Sequence, residues 1–255
     1  MAASRGRKIT IVLVVLLVVI LGVLFAADRV GKYEAEKQLS KQASQELAAR
    51  QITSPSQPDA SIDGFPFLTQ VAGGVYHKIT IKVDKPSTQG VTLDRFDVVA
   101  TDVHAKARDL MNGTGTVTAD KVTGTGALPW SQVGKLITLS GVDASNVTVS
   151  ADAQGKITAE VPVSALGISV TLVVTGTVAV ADGNATATVD SVTTKGGENS
   201  AIINALLRQV KQALTIQIKL PKLPYNLQVT KLETGPSGLR VTAVATHVVL
   251  SGNSA

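Results

Sequence analysis

From Ile9 to Ala27 the chain holds 19 consecutive residues that are apolar apart from Thr10 and Gly22. At about 1.5 Å of rise per residue, a helix of that length crosses a hydrocarbon core of about 30 Å. Arg5, Arg7 and Lys8 precede it, while the first charges after it, Asp28 and Arg29, cancel. The positive-inside bias then predicts a cytoplasmic tail over 1–8, a transmembrane signal-anchor over 9–27, and the rest of the chain outside the cytoplasm. A cleaved signal peptide carries small residues one and three positions before the cut. Cutting after Ala27 puts Phe25 at the third position, and cutting after Ala26 puts Leu24 there. The pattern therefore favours an uncleaved, single-pass anchor in the cell membrane.

Asp28 to Arg50 is dominated by Ala, Glu, Lys and Gln, with Leu39, Ala43 and Leu47 at i, i+4 spacing. That spacing predicts a helix continuing from the anchor, one narrow stripe apolar and the other faces wet. Gln51 to Pro58 (QITSPSQP) has two prolines among small polar residues and cannot continue a helix. Residues 28–58 thus read as a juxtamembrane helix and linker, with an extracytoplasmic β-rich domain over 59–255.

In that domain the dominant signal is alternation. Ile79, Ile81 and Val83 alternate with polar residues, as do Val147, Val149 and Ala151, then Ile157 to Val163, Ile168 to Val174, and Val178 with Val180. Period two predicts half-buried antiparallel strands. Asn112-Gly113, Gln154-Gly155, Asp182-Gly183 and Lys195-Gly196-Gly197 supply turns at short intervals, so neighbouring strands are expected to pair as hairpins. Leu227, Val229, Leu239, Val241 and Ala243 return to strand periodicity around the turn Gly235 to Gly238. Two helices interrupt the strands. One is short, Pro129 to Ile137. The other runs from Ser200 to Leu214 and carries a wide apolar face of Ile202, Ile203, Leu206, Leu207, Val210, Ala213 and Leu214. A long helix beside a twisted sheet leaves two arrangements open, a tightly closed core or an apolar groove between them.

Charge changes the picture little. The net +5 includes Arg5, Arg7 and Lys8; without them 21 basic residues face 19 acidic ones, a balance of +2. No basic face is interleaved with aromatics, which speaks against a nucleic-acid partner. With no cysteine in the chain, no disulfide staples the exported part, so burial and backbone pairing must hold it.

Candidate catalytic chemistry is sparse. His77, His104 and His247 are the only histidines, no two at metal-ligand spacing, and no serine sits in a G-x-S-x-G elbow. Asp94, Asp97, Asp102 and Asp109 recur in a polar stretch that reads as a solvated face. The scarce aromatics are more informative. Of the seven beyond the anchor, Phe65, Phe67 and Tyr76 lie close together around Gly64-Phe65-Pro66-Phe67. Both phenylalanines plug one end of the core, or they form a lip that touches lipid.

Ile62-Asp63-Gly64-Phe65-Pro66-Phe67-Leu68-Thr69-Gln70, followed by Gly74-Val75-Tyr76 and the strand from Ile79 to Val83, closely resembles the opening motif of the LmeA-like actinobacterial phospholipid-binding proteins. Leu223-Pro224-Tyr225-Asn226-Leu227 with Gly238-Leu239-Arg240-Val241 resembles the family's closing pattern, although Tyr225 and Asn226 stand where Phe and Gly are usual. The resemblance spans roughly Ala35 to Leu250. It implies an α+β fold of tubular lipid-binding type, a long curved antiparallel β-sheet wrapped around the long C-terminal helix Ser200 to Leu214, behind one N-terminal transmembrane helix. It also implies an envelope protein that binds phospholipid, with relatives that support lipoglycan elongation.

The expected function is that of a membrane-anchored extracytoplasmic phospholipid-binding protein, not an enzyme, presenting or transferring lipid in cell-envelope biogenesis. Its expected partners are phospholipid, the membrane and envelope biosynthesis enzymes, with no nucleic acid, cofactor or metal. The candidate lipid-binding residues are Phe65, Phe67 and Tyr76 at the mouth, and Ile203, Leu206, Leu207, Val210 and Leu214 along the helix. Each buried CH2 contributes about 0.8 kcal/mol, so acyl burial alone could drive binding. The alternative from another class is a non-catalytic envelope scaffold acting through a protein partner.

Overall fold

The computed structural model describes residues 3–88, 90–111, 115–136, 147–165, 168–181, 184–195, 215–218 and 226–251. The chain opens with α1 (Ala3–Ala49), one uninterrupted helix of 47 residues, about 70 Å long at the usual rise. Its apolar residues from Val14 to Phe25 are exposed. From Gly31 onward, half-buried positions recur at 31–32, 35–36, 39–40, 43–44 and 47. This is the predicted stripe, and it faces the domain.

After a reversal at Gln51, the linker is pinned down. Thr53 and Ser87 exchange backbone hydrogen bonds, and Ser54 Oγ donates to the Asp84 carbonyl. There follow β1 (Asp59–Asp63), α2 (Phe67–Gly73), β2 (Val75–Asp84), the ribbon strands β3 (Ser87–Thr88) and β4 (Val91–Thr92), β5 (Arg95–His104), α3 (Ala107–Met111), β6 (Val117–Pro129) and α4 (Trp130–Leu136). Next come β7 (Thr148–Ala151), β8 (Ile157–Ala165), β9 (Ile168–Ala181), β10 (Asn184–Thr194) and β11 (Thr215–Ile218), then β12 (Gln228–Gly235) and β13 (Gly238–Ser251).

Six strands form one sheet in the order β1-β2-β5-β6-β13-β12, and five form a second in the order β11-β10-β9-β8-β7. Neighbours in both are antiparallel. Strands near one another in sequence make most of these pairs; of the expected turns Gln154-Gly155 joins β7 to β8, whereas Asn112-Gly113, Asp182-Gly183 and Gly196-Gly197 lie outside the described residues. The long-range step is the return of the chain from the second sheet, which lays β13 along nearly the whole of β6.

The first sheet is folded along a line. In a regular strand inward residues are two apart, yet here the inward pairs are three apart in four adjacent strands: Tyr76 and Ile79, Ala100 and Val103, Ala119 and Val122, Ala245 and Val248. The pairs are in register, since Tyr76 faces Val103, Val103 faces Ala119 and Ala119 faces Val248. Between them lie two residues turned away from the core, and Asp102 and His247 take φ of 49° and 52° to make the step. A step of two outward residues, aligned across four strands with the pairing kept one to one, sets a crease across the sheet. The concave side holds the first core cluster, closed by Ile62, Phe67 and, from α1, Ala35 and Leu39.

The two sheets meet at the far end of β6. Trp130 there is buried with Val147, Val149, Val161 and Leu172, its indole N–H donating to the Gly235 carbonyl at 2.9 Å. Thr234 Oγ1 donates to the Gly155 carbonyl at 3.1 Å.

The short helix expected from Pro129 is α4. The long helix expected over Ser200 to Leu214 lies outside the described residues, as do its candidate residues Ile203, Leu206, Leu207, Val210 and Leu214. Among the described residues α1 is the one long helix, α2, α3 and α4 having 7, 5 and 7 residues. The described architecture is therefore two antiparallel sheets behind an N-terminal helix, and a sheet wrapped about a C-terminal helix is not part of it.

Gly238 starts β13 opposite Pro129, where a Cβ would collide with the Leu128 carbonyl and the Pro129 Cα. Because both obstacles are backbone, Gly238→Ala should lower stability by about 2 kcal/mol or more. Urea denaturation checks this, and an unchanged midpoint would mean that the hairpin docks differently.

Candidate functional site

The greasy segment divides between the core and the outside. Gly64 (φ 108°) turns the chain at the end of β1, and a Cβ there would strike the Gln70 side-chain amide. Phe65 then points outward, 61% exposed, whereas Phe67 at 5% and Tyr76 at 9% belong to the core. The Phe67 and Tyr76 rings are tilted against each other with centroids 6.3 Å apart. Of the three expected mouth residues, one is a lip and two are a plug.

What holds the lip is α1. Helix α2 begins after Pro66, which offers no side-chain cap. The missing acceptor comes from Asp28, whose Oδ1 receives the Leu68 N–H at 2.8 Å. Carboxylates suit helix N-termini because the first N–H groups have no partner within the helix. Asp28 is only 3% exposed, and its Oδ2 finds no partner among the described residues. One turn before it lies Phe25, whose ring centroid is 6.0 Å from that of Phe65. The Arg29 guanidinium lies over both rings, 5.1 Å from Phe25 and 4.9 Å from Phe65. Phe25, Asp28 and Arg29 share one helix face. Sequence reasoning treated Asp28 and Arg29 only as cancelling charges. Their i, i+3, i+4 spacing from Phe25 at the end of an apolar run was the signal to follow.

The second sheet offers a different surface. Registers Ile157 to Gly176, Ala159 to Val174 and Val161 to Leu172 put these residues on one face, joined on the other side of β9 by Ala187 opposite Val178 and Val192 opposite Val174. The opposite face carries Thr158, Glu160, Thr171, Thr175, Thr186 and Thr188. One face is thus continuously apolar. Leu172, Val161 and Val192 are buried, while Ile157, Ala159, Val170, Val174, Val178 and Val180 are half-buried.

The three histidines, far apart in sequence, converge on the outer side of the bend. The registers place His77, Asp102, Asp120 and His247 in one row across β2, β5, β6 and β13. His104 Nε2 lies 3.6 Å from Asp120, both exposed. Among the described residues no three His, Cys, Asp or Glu side chains are arranged to hold a metal ion. At the other end of the sheet a cleft of about 300 Å³ is lined by Asp94, Glu233, Arg240 and the Gly235 to Gly238 turn. Its charged and main-chain lining suits neither acyl chains nor a deep ligand.

Burial raises the Tyr76 phenol above its ordinary value, about 10. The unfolded chain therefore loses this proton first as pH rises. The Tyr76 contribution to stability is complete below about pH 10 and is lost as pH climbs through the raised folded value. Urea midpoints on the alkaline side should fall less steeply in Tyr76→Phe than in the parent; parallel curves would show that Tyr76 is wet.

Comparison with known proteins adds a family to this geometry. No curated protein and no solved structure matches the chain. A family model described as LmeA-like phospholipid-binding matches residues 26–244, a span that begins at the last turn of the apolar run and takes in the lip, both sheets as far as the first half of β13, and the Gly235 to Gly238 turn. The chain belongs to the LmeA-like phospholipid-binding family.

Proposed function

We propose that this protein is held by its N-terminal helix at the outer face of a cell membrane, where it binds phospholipid and presents or transfers it during envelope biogenesis. Family membership supports lipid binding. The observation that carries the reading is the continuous apolar face of β8, β9 and β10, much of it only half-buried. Acyl chains laid along this face would gain about 0.8 kcal/mol for each CH2 buried. The segment from Ser200 to Leu214, amphipathic by sequence, carries the other candidate lipid-binding residues, Ile203, Leu206, Leu207, Val210 and Leu214.

The anchor enters through the same helix that packs on the domain, and an N-terminal apolar helix fits either an anchor or a signal sequence. Because α1 continues into the packed stripe, removal of the apolar part would cut inside an element that the fold uses. This favours retention. Lipid presentation requires no general base or nucleophile, in keeping with a non-enzymatic role. Lipoglycan assembly enzymes are the partners this reading suggests.

Full-length protein extracted from membranes without added lipid should carry phospholipid in stoichiometric amount, read by native mass spectrometry and organic extraction. Val174→Asp, which sets a carboxylate on this apolar face, should reduce it roughly tenfold or more, with circular dichroism unchanged. A folded, lipid-free protein that also refuses added phospholipid would remove the lipid reading and favour a scaffold working through a protein partner.

A further inference from the structure

We propose that Phe25, Arg29 and Phe65 form a headgroup clasp, separate from the acyl path, in which the Arg29 guanidinium binds the phosphate of a phospholipid in the adjoining leaflet. Phe65 sits in the interfacial layer beside it. The proposal rests on the anchored reading above.

Position is the first argument. Arg29 lies two residues beyond the last apolar residue of the run, Ala27, about 3 Å further along the axis. If the run spans the bilayer, that is the level of the phosphates, where Phe65 also stands because it packs on Phe25. Aromatic rings and arginines are favoured at this depth, since each has an apolar body and a polar edge or tip.

Chemistry is the second. Two ring faces flank the guanidinium at 4.9 and 5.1 Å, holding the flat cation through its faces. Such contacts leave the N–H fork at its edge open to oxygen ligands, and that fork matches a phosphate. Among the described residues no carboxylate pairs with Arg29. An exposed Phe65, with Leu68 39% exposed beside it, needs an apolar neighbour that a dissolved phosphate lacks. A phospholipid supplies both, the phosphate from its headgroup and the apolar neighbour from its acyl chains.

Rigidity is the third. Asp28, adjacent to Arg29 and buried, ties α1 to the first turn of α2 through Leu68. The lip therefore cannot swing away from the helix without breaking that bond. Asp28 is a positioning residue in this scheme.

The chain has no cysteine, so single-cysteine variants label cleanly. Full-length protein in nanodiscs of phosphatidylcholine and phosphatidylglycerol would carry a spin label through Phe65→Cys, Leu17→Cys or Ser237→Cys. Accessibility to oxygen and to a water-soluble nickel complex is then measured. The ratio at 65 should approach that at 17 and exceed that at 237 several-fold. Arg29→Glu should move the label at 65 toward water, and Arg29→Lys should move it less. With Phe65 native, 15N-arginine, and Arg5 and Arg7 replaced by lysine so that the other leaflet is silent, a 15N–31P dipolar contact should appear and vanish in Arg29→Gln. A label at 65 as wet as that at 237, with 17 still in the bilayer, would overturn the clasp and leave the anchor standing. An immersed 65 without phosphorus contact would overturn the role of Arg29. A wet or cleaved residue 17 would overturn both readings.

Discussion

The edge of a β-sheet carries backbone groups that must be paired or covered, and in this protein one helix covers them. Along a single stripe of α1, Glu36 accepts the Ile62 N–H at 2.8 Å, Ser40 donates to the Pro58 carbonyl, and Asp28 accepts the Leu68 N–H. Strand β1 is the edge of the first sheet, and the Ile62 bond covers one backbone group of that edge, while the other two tie α1 to the chain on either side of it. Each is worth about 1 kcal/mol, more where a carboxylate takes part. Together they fix both the rotation of α1 about its axis and its position along that axis.

From that constraint the layout of the molecule follows. As α1 runs from Asp28 to Ser40, its partners run backward along the chain from Leu68 to Pro58, so the helix is antiparallel to β1. The apolar segment must leave at the lip end, while the linker at the other end is pinned beside β2 and β3. The second sheet joins at that far end, through Trp130 and the Thr234 bond. Apolar segment, lip, first sheet and second sheet thus succeed one another along the molecule, and the half-buried apolar face of β8 to β10 stands away from the lip.

Much of this was legible, and the failures have physical reasons. Alternation found β7, β8, β9, β12 and β13 because each buries one face. The stripe on α1 and the short helix after Pro129 were likewise visible as helical periods. Helix α2 was not, because it follows Pro66, lacks its own cap and borrows one from Asp28, forty residues earlier. Strand β5 reads as a polar stretch because the bend breaks its period: Ala100 and Val103 face inward three residues apart, with Asp102 between them. The same period break gathers His77, Asp102, Asp120 and His247 into a row that no spacing in the sequence foreshadows. Phe65 and Phe67 looked equivalent on paper. Only the three-dimensional path around Gly64 sends one to the core and the other to Phe25.

The aligned bend also acts as a key for strand register. A plain sheet can slip by two residues and keep its inward set intact, since the pleat repeats at that interval. Here a two-residue slip of β6 would leave Ala119 and Val122 out of line with Ala100, Val103, Ala245 and Val248, and the doubled outward step would no longer match across neighbours. Charged residues such as Asp120 and Lys121 would then oppose inward alanines and valines. Four strands made mainly of interchangeable valines, threonines and alanines thereby acquire one alignment that all of them share, without a disulfide to enforce it.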